Sequence, residues 1–406
     1  MSHRFSFRRW IRSSLFGVVA LSLTAVPALA QFGGGGFRQI SEPDVDTLQI
    51  EIIGEMLAFS DEQNDLAIEL LQGYLSEVSD MAEQVRAITD GARQEFRETR
   101  DPSVWQDVMA AMGPLNDQKD QITERFMEDL QLILNEDQFK RWDEVERFHR
   151  RYTSFSDDGL LSGETVDVIQ AVNDMDLPEE DMAALKPILD QYALELDRAL
   201  IERNKAYEEG MSRGMELWRS GDMEQIQKLF DDARDKAERV RDINRRYAKQ
   251  VEQTLDPAFA GEWVREFKEQ SFPRVYRPSP TERAIDTAME FEDLTADQRE
   301  QIMTLRREYA SRVESMNDEI AKAIEDGEMS RGIEMFFGRG RRGGGDQDEL
   351  REVRNAKQEY DTTVMTKLRS MLTNEQLVRL PEREDNRDWR DRLPNRRGGG
   401  DRPREL

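Results

Sequence analysis

His149 is the first residue to consider for chemistry, because the only other histidine is His3 and the chain contains no cysteine. Imidazole and thiolate are the usual general bases, nucleophiles and transition-metal ligands near neutral pH. Without a thiol there is no disulfide, no cysteine nucleophile and no Cys-based zinc or iron–sulfur site. His149 shares a predicted helical turn with Glu146 and Trp142 in an arginine-rich stretch, and it reads as a surface residue rather than a ligand. The carboxylates are the other candidates. Asp231–Asp232 could hold calcium loosely, yet no EF-hand spacing surrounds them. Paired catalytic carboxylates cannot be singled out from 84 acids. No catalytic, cofactor-binding or metal-ligating residue is therefore assigned, no cofactor is expected, and the chain is read as a non-enzyme.

Other polar residues recur at fixed spacing and do structural work. Ser60-x-x-Gln63, Asn135-x-x-Gln138, Thr295-x-x-Gln298 and Thr373-x-x-Gln376 each form a capping box. The first side chain accepts from the amide three residues on, and the glutamine reaches back to the N-cap amide. Asp256-Pro257 replaces the box with an acidic N-cap and a proline at the first helical position. Pro178-Glu179-Glu180-Asp181 lacks the cap oxygen. An apolar residue precedes each start and can staple onto the first turns, as Leu134 onto Phe139 and Leu372 onto Leu377. These residues read as helix initiation, and client-contacting residues stay unassigned.

The starts repeat along the chain. Phe59, Leu177 and Leu294 lie 118 and 117 residues apart, and each stands 15 residues before a tyrosine, Tyr74, Tyr192 and Tyr309. A second marker follows each at offsets of 75, 78 and 78, as Leu134, Leu255 and Leu372, and Trp142, Trp263 or Leu380 stands eight residues further on. Such a period is one helical unit used three times. The expected fold is all-α, with three tandem modules of long antiparallel helical hairpins and short flanking helices, at residues 43–155, 160–272 and 278–380. From each tyrosine the apolar residues continue at alternating steps of four and three. They are Val78, Met81, Val85 and Ile88 in module one, and Val313, Met316, Ile320 and Ala323 in module three. This is a heptad seam. Module two keeps Leu196 and Ala199, then Arg203 interrupts before Ala206. Less regular stretches are expected at Asp101-Pro102, at Met211 to Leu217 and at Met329 to Met335, the last continuing into Gly338 to Gly345. Gly113-Pro114 should kink the second long helix of module one or make it start late. The tryptophans and repeated tyrosines are read as core anchors, and seam methionines such as Met81 and Met316 as packing.

The first 30 residues have the form of a signal peptide. Arg4, Arg8, Arg9 and Arg12 precede an apolar run at Leu15 to Val26 and the small-x-small site Ala28-Leu29-Ala30. Residues 31–42 read as a Gly-rich leader and 381–406 as a disordered polar tail. The expectation is an exported protein, periplasmic or otherwise extracytoplasmic and soluble. It would have no integral membrane span after signal cleavage, and the route, general secretory or twin-arginine, stays open. A formal charge of -26 argues against nucleic acid and anionic lipid as partners. Self-association is left open.

Leu294-Thr295-x-x-Gln298 and Leu372-Thr373-x-x-Gln376, bracketing a pair of long helices behind an export signal, resemble the LTXXQ-motif family of Spy- and CpxP-type periplasmic stress proteins and related metal-resistance proteins. Module one carries the pattern as Phe59-Ser60-x-x-Gln63 and Leu134-Asn135-x-x-Gln138, and module two matches by position more than by residue. The resemblance covers about Phe59 to Leu380 as three tandem copies. It implies small helical domains that bind unfolding clients without ATP in envelope stress. The expected function is an exported ATP-independent chaperone or envelope-stress-type binding protein with unfolded or envelope-protein clients. The alternative is a structural scaffold of helical repeats, and a heavy-metal sensor or resistance protein ranks third.

Overall fold

In the computed structural model the described residues are 40–101, 103–155, 159–330 and 346–381. Residues 1–39, where the signal peptide and leader are expected, Pro102, residues 156–158, residues 331–345 and residues from 382 lie outside them. The chain is all-α, with no strand among the described residues. Helices α1 (Thr47–Leu57), α2 (Asp61–Thr99), α3 (Val104–Leu132), α4 (Glu136–Phe139) and α5 (Trp142–Ser154) belong to the first repeat. Helices α6 (Val168–Asn173), α7 (Glu179–Ser220), α8 (Met223–Thr254) and α9 (Pro257–Ser271) belong to the second. Helices α10 (Pro280–Met289), α11 (Ala296–Ser330), α12 (Asp346–Met371) and α13 (Asn374–Leu377) belong to the third. No helix among the described residues is long and apolar enough to cross a membrane.

Each repeat centres on two long helices packed along their length: α2 with α3, α7 with α8, and α11 with α12. Short connections force the first two pairs to run antiparallel. Arg100 closes α2 in the left-handed region at φ 58°, and Gly221 at φ 76° turns α7 into α8 in a backbone region that glycine enters without strain. The third pair is antiparallel by its cross-links, since Gln298 meets Met371, Tyr309 meets Asp361 and Asn317 meets Lys357. The seams face inward as their period requires. Val78, Met81 and Val85 are buried with Ile122, Phe126 and Leu130, and Val313, Met316, Ile320 and Ala323 are all buried. Trp142 and Trp263 are buried, and the Trp263 indole N–H donates to the Ala248 carbonyl at 2.8 Å.

Three expectations are corrected. Met211 to Leu217 is not irregular but lies inside the 42-residue α7. Good helix formers there outweigh the scattered glycines, and the chain waits for Gly221 to turn. Helix α3 does not start late, because it begins at Val104 and runs through Pro114 as one 29-residue helix. Arg203 does not interrupt the module-two seam, since it is buried on it with an ionic partner.

Candidate functional site

The capping residues do more than start helices. Ser60 with Gln63, Asn135 with Gln138 and Thr373 with Gln376 form complete capping boxes. Thr295 and Gln298 exchange the same two bonds, at 3.0 and 3.2 Å. Asp256 caps α9 by accepting from the Ala258 amide at 2.8 Å. Each capping glutamine then spends its remaining N–H groups across the module. The Gln63 and Gln138 amides pair reciprocally at 2.7 and 3.0 Å, while Gln63 also donates to the Ile133 carbonyl and Gln138 to that of Leu57. In module three Gln298 donates to Gln376 Oε1 at 3.1 Å and to the Met371 carbonyl, and Gln376 donates to the Asp293 carbonyl. Module two keeps the bridge in another form, in which the Asp256 amide donates to the Asp181 carboxylate at 3.2 Å. The two motifs of a module thus clasp each other and close the ends of its hairpin. The stapling residues differ in outcome: Leu377 packs with Leu372, whereas Phe139 is exposed and shares only a shallow depression with Leu134.

A second repeated device sits mid-hairpin. Each marker tyrosine is buried, and its hydroxyl joins the opening segment of the module to the second long helix. Tyr74 accepts from the Asp44 amide at 2.8 Å and meets Thr123 Oγ1 at 3.3 Å. Tyr192 donates to Asn244 Oδ1 at 2.9 Å and accepts from the Val168 amide. Tyr309 donates to Asp361 at 2.7 Å and meets Ser279 Oγ at 2.6 Å. Thr123, Asn244 and Asp361 are spaced 121 and 117 residues apart, as the second markers are. The partners are the part that sequence reading missed. Burial, as the largest effect, raises the pKa of all three phenols above the usual 10.0, so each stays protonated. Burial likewise raises that of Asp361, partly offset by the Tyr309 hydroxyl.

The densest polar cluster lies where module one meets module two. Glu164, with a fully buried side chain, accepts from Arg203 Nη1 at 2.9 Å, from the Tyr207 hydroxyl at 2.8 Å and from the Leu161 amide at 3.1 Å. Arg203, 5% exposed in its side chain, also donates to the Ser154 carbonyl at the end of α5, and Asn204 donates to Ser154 Oγ. Asn244 donates to the carbonyls of Gly163 and Glu164, and Arg151 pairs with Asp167 at 2.8 Å. Two glycines make the fit possible. A Cβ on Gly159 would stand 2.7 Å from the Glu164 carboxylate, and Gly163 sits at φ 81°. A single lost partner here would strand a buried charge, at a cost of about 3–5 kcal/mol.

One module length further on, the same joint is rebuilt without ions. Arg203, Asn204 and Tyr207 correspond to Ile320, Ala321 and Ile324, and Phe155 and Phe272 each cap the C-terminus of their module's last helix. Phe272, Val275 and Tyr276 pack against Ile320, Ala321, Ile324, Leu350 and Val353. The buried Ser271 hydroxyl, beside Gly163 and Arg241 of module two, has no hydrogen-bond partner among the described residues. The rim is ionic, with Lys268 and Tyr276 on Asp318, Arg245 on Glu325, and the Ser162 amide and hydroxyl on Glu328. Such exposed pairs contribute about 0–1 kcal/mol each.

His149 is not a surface residue. Its Nδ1 lies 3.1 Å from Gln49 Oε1, and Gln49 is itself buried, donating to the Asp44 carbonyl. Burial, the dominant cause, lowers its pKa below the usual 6.5, against the pull of Asp44. No group of three or more acidic or histidine side chains is placed to hold a metal among the described residues. No family model, curated protein or solved structure matches the chain.

Proposed function

We propose that this is a binding protein without catalysis, an ATP-independent holder of partly unfolded chains that acts outside the cytoplasm, as the signal-like N-terminus and the LTXXQ-like motif pairs suggest. The observation that carries the reading is repeated on the first long helix of every module. Leu66 and Ile68 on α2, Leu194 and Ile201 on α7, and Met303 on α11 are each close to half exposed, on helices whose other outward residues are mainly charged. Isolated apolar side chains in an acidic field bind weakly and reversibly. Three copies on one chain raise the effective concentration of the second and third contacts once the first is made. The formal charge of -26 keeps a loaded complex soluble by repulsion. The buried polar groups of the clasps and of the Glu164 cluster are already committed to capping, clasping and joining helices, which leaves helix faces as the place for binding.

The test is suppression of aggregation of a heat- or reductant-unfolded protein at near-stoichiometric ratios. Leu194→Glu with Ile201→Glu should weaken it while leaving helix content intact. If several clients aggregate unimpeded, the holding activity is refuted. A scaffold is the second reading, favoured by the rigid polar joint around Glu164. It requires one defined partner retained from envelope extracts even when clients are not protected.

A further inference from the structure

We infer that residues 272–279 form a hinge on which module three turns as a rigid body against modules one and two, which are fixed to each other. The two joints use equivalent positions of α7 and α11. Between modules one and two the contacts are directional and buried. Arg203 and Asn204 hold Ser154, Glu164 gathers Arg203, Tyr207 and the Leu161 amide, and Asn244 pins the connecting loop through two carbonyls. Rotation there would strand buried charges together. Between modules two and three those positions are Ile320, Ala321 and Ile324, and the contact is apolar. Apolar contact has no preferred direction, so side chains can slide across one another before water enters.

The cover over this apolar joint is thin. Lys268–Asp318 and Arg245–Glu325 are ion pairs between groups about a third or more exposed. The bond of Ser162 to Glu328 ties α11 back to the loop between modules one and two. The connection itself is non-helical from Phe272 to Ser279, and its backbone bonds are local, from the amides of Val275 and Tyr276 to the Phe272 carbonyl. A few residues between helical bodies are enough to absorb a rotation. The hinge holds or fails irrespective of whether the chain binds clients.

Spin labels test this directly, because the chain has no native cysteine to compete for them. The full chain would carry Arg86→Cys with Glu209→Cys, reporting modules one and two, or Glu209→Cys with Lys322→Cys, reporting modules two and three; all three sites are exposed. Pulsed dipolar spectroscopy should give a distance distribution roughly twofold or more broader for the second pair than for the first. Asp318→Asn with Glu328→Gln should broaden the second pair further and leave the first pair and the far-ultraviolet dichroism unchanged. Equal widths in the unaltered rim, or a first pair as broad as the second, would overturn the hinge, and neither result depends on the rim variants folding.

Discussion

Arg203 is the residue whose type and position conflict most in the sequence. An arginine on an apolar seam looks like a flaw, yet its guanidinium ends on Glu164 with a phenol and a carbonyl beside it. The cost of removing either partner should exceed the worth of the pair. Arg203→Met and Glu164→Gln are each expected to cost about 3–5 kcal/mol in urea unfolding, and Arg203→Met with Glu164→Met clearly less than the sum. His149 gives a second expectation, in pH. Its folded pKa is depressed by burial below 6.5, so the folded state resists its protonation. The stability it contributes is present above 6.5 and is lost as pH falls from there through the depressed folded value. The melting temperature of His149→Gln should therefore change less than that of the parent chain between pH 7 and about pH 5. The difference between the two chains isolates this group from Asp120, Asp174 and Glu269, whose raised values act in the opposite sense on acidification.

At the scale of elements, the capping motifs work in pairs. A glutamine that closes a capping box and also bridges to the other motif couples two helix starts 75 residues apart. Gln63→Ala and Gln138→Ala should each destabilise, and a double-mutant cycle should give a coupling of about 0.5–3 kcal/mol; independent caps would give none. Two buried serines at the ends of α5 and α9 supply a contrasting pair of substitutions. Ser154→Ala removes an acceptor used by Asn204 and should destabilise by about 1 kcal/mol, whereas Ser271→Ala removes an unpaired buried hydroxyl and should stabilise by about as much. Denaturant midpoints of the two variants, shifting in opposite directions, would show that one hydroxyl is a bonded acceptor and the other an unpaired one. The helix starts were legible in the sequence because capping is local, spanning four residues. The clasp was not, because its partners lie a whole hairpin apart.

For the whole molecule, the module that departs most from the motif in sequence is the one held from both sides. Its first hairpin helix, at 42 residues, is the longest among the described residues. It receives Ser154 from module one on α7 and the last turns of α11 on α8. Its drift from the pattern, with Arg203, Asp181 and Asn244 at special positions, is what equips it for this role. Native-state hydrogen exchange should find the slowest amides in α7 and α8 near Tyr192 and Tyr247, faster exchange in α12, and the earliest opening at residues 272–279. Slowest exchange in module one or three would contradict a central module that anchors the others.

The sequence by itself determined the all-helical class, the threefold period, the placement of the seams and most helix starts. These depend on interactions within one turn or one heptad, and residue spacing records them directly. Only the tertiary structure decided which glutamines meet, what each marker tyrosine bonds, that Arg203 lies inside with Glu164, that His149 is held by Gln49, and that one joint is ionic and the next apolar. Those outcomes depend on groups brought together from distant parts of the chain. Whether a buried polar side chain is an error or a joint is set by the partner it finds, and a linear pattern does not carry that information.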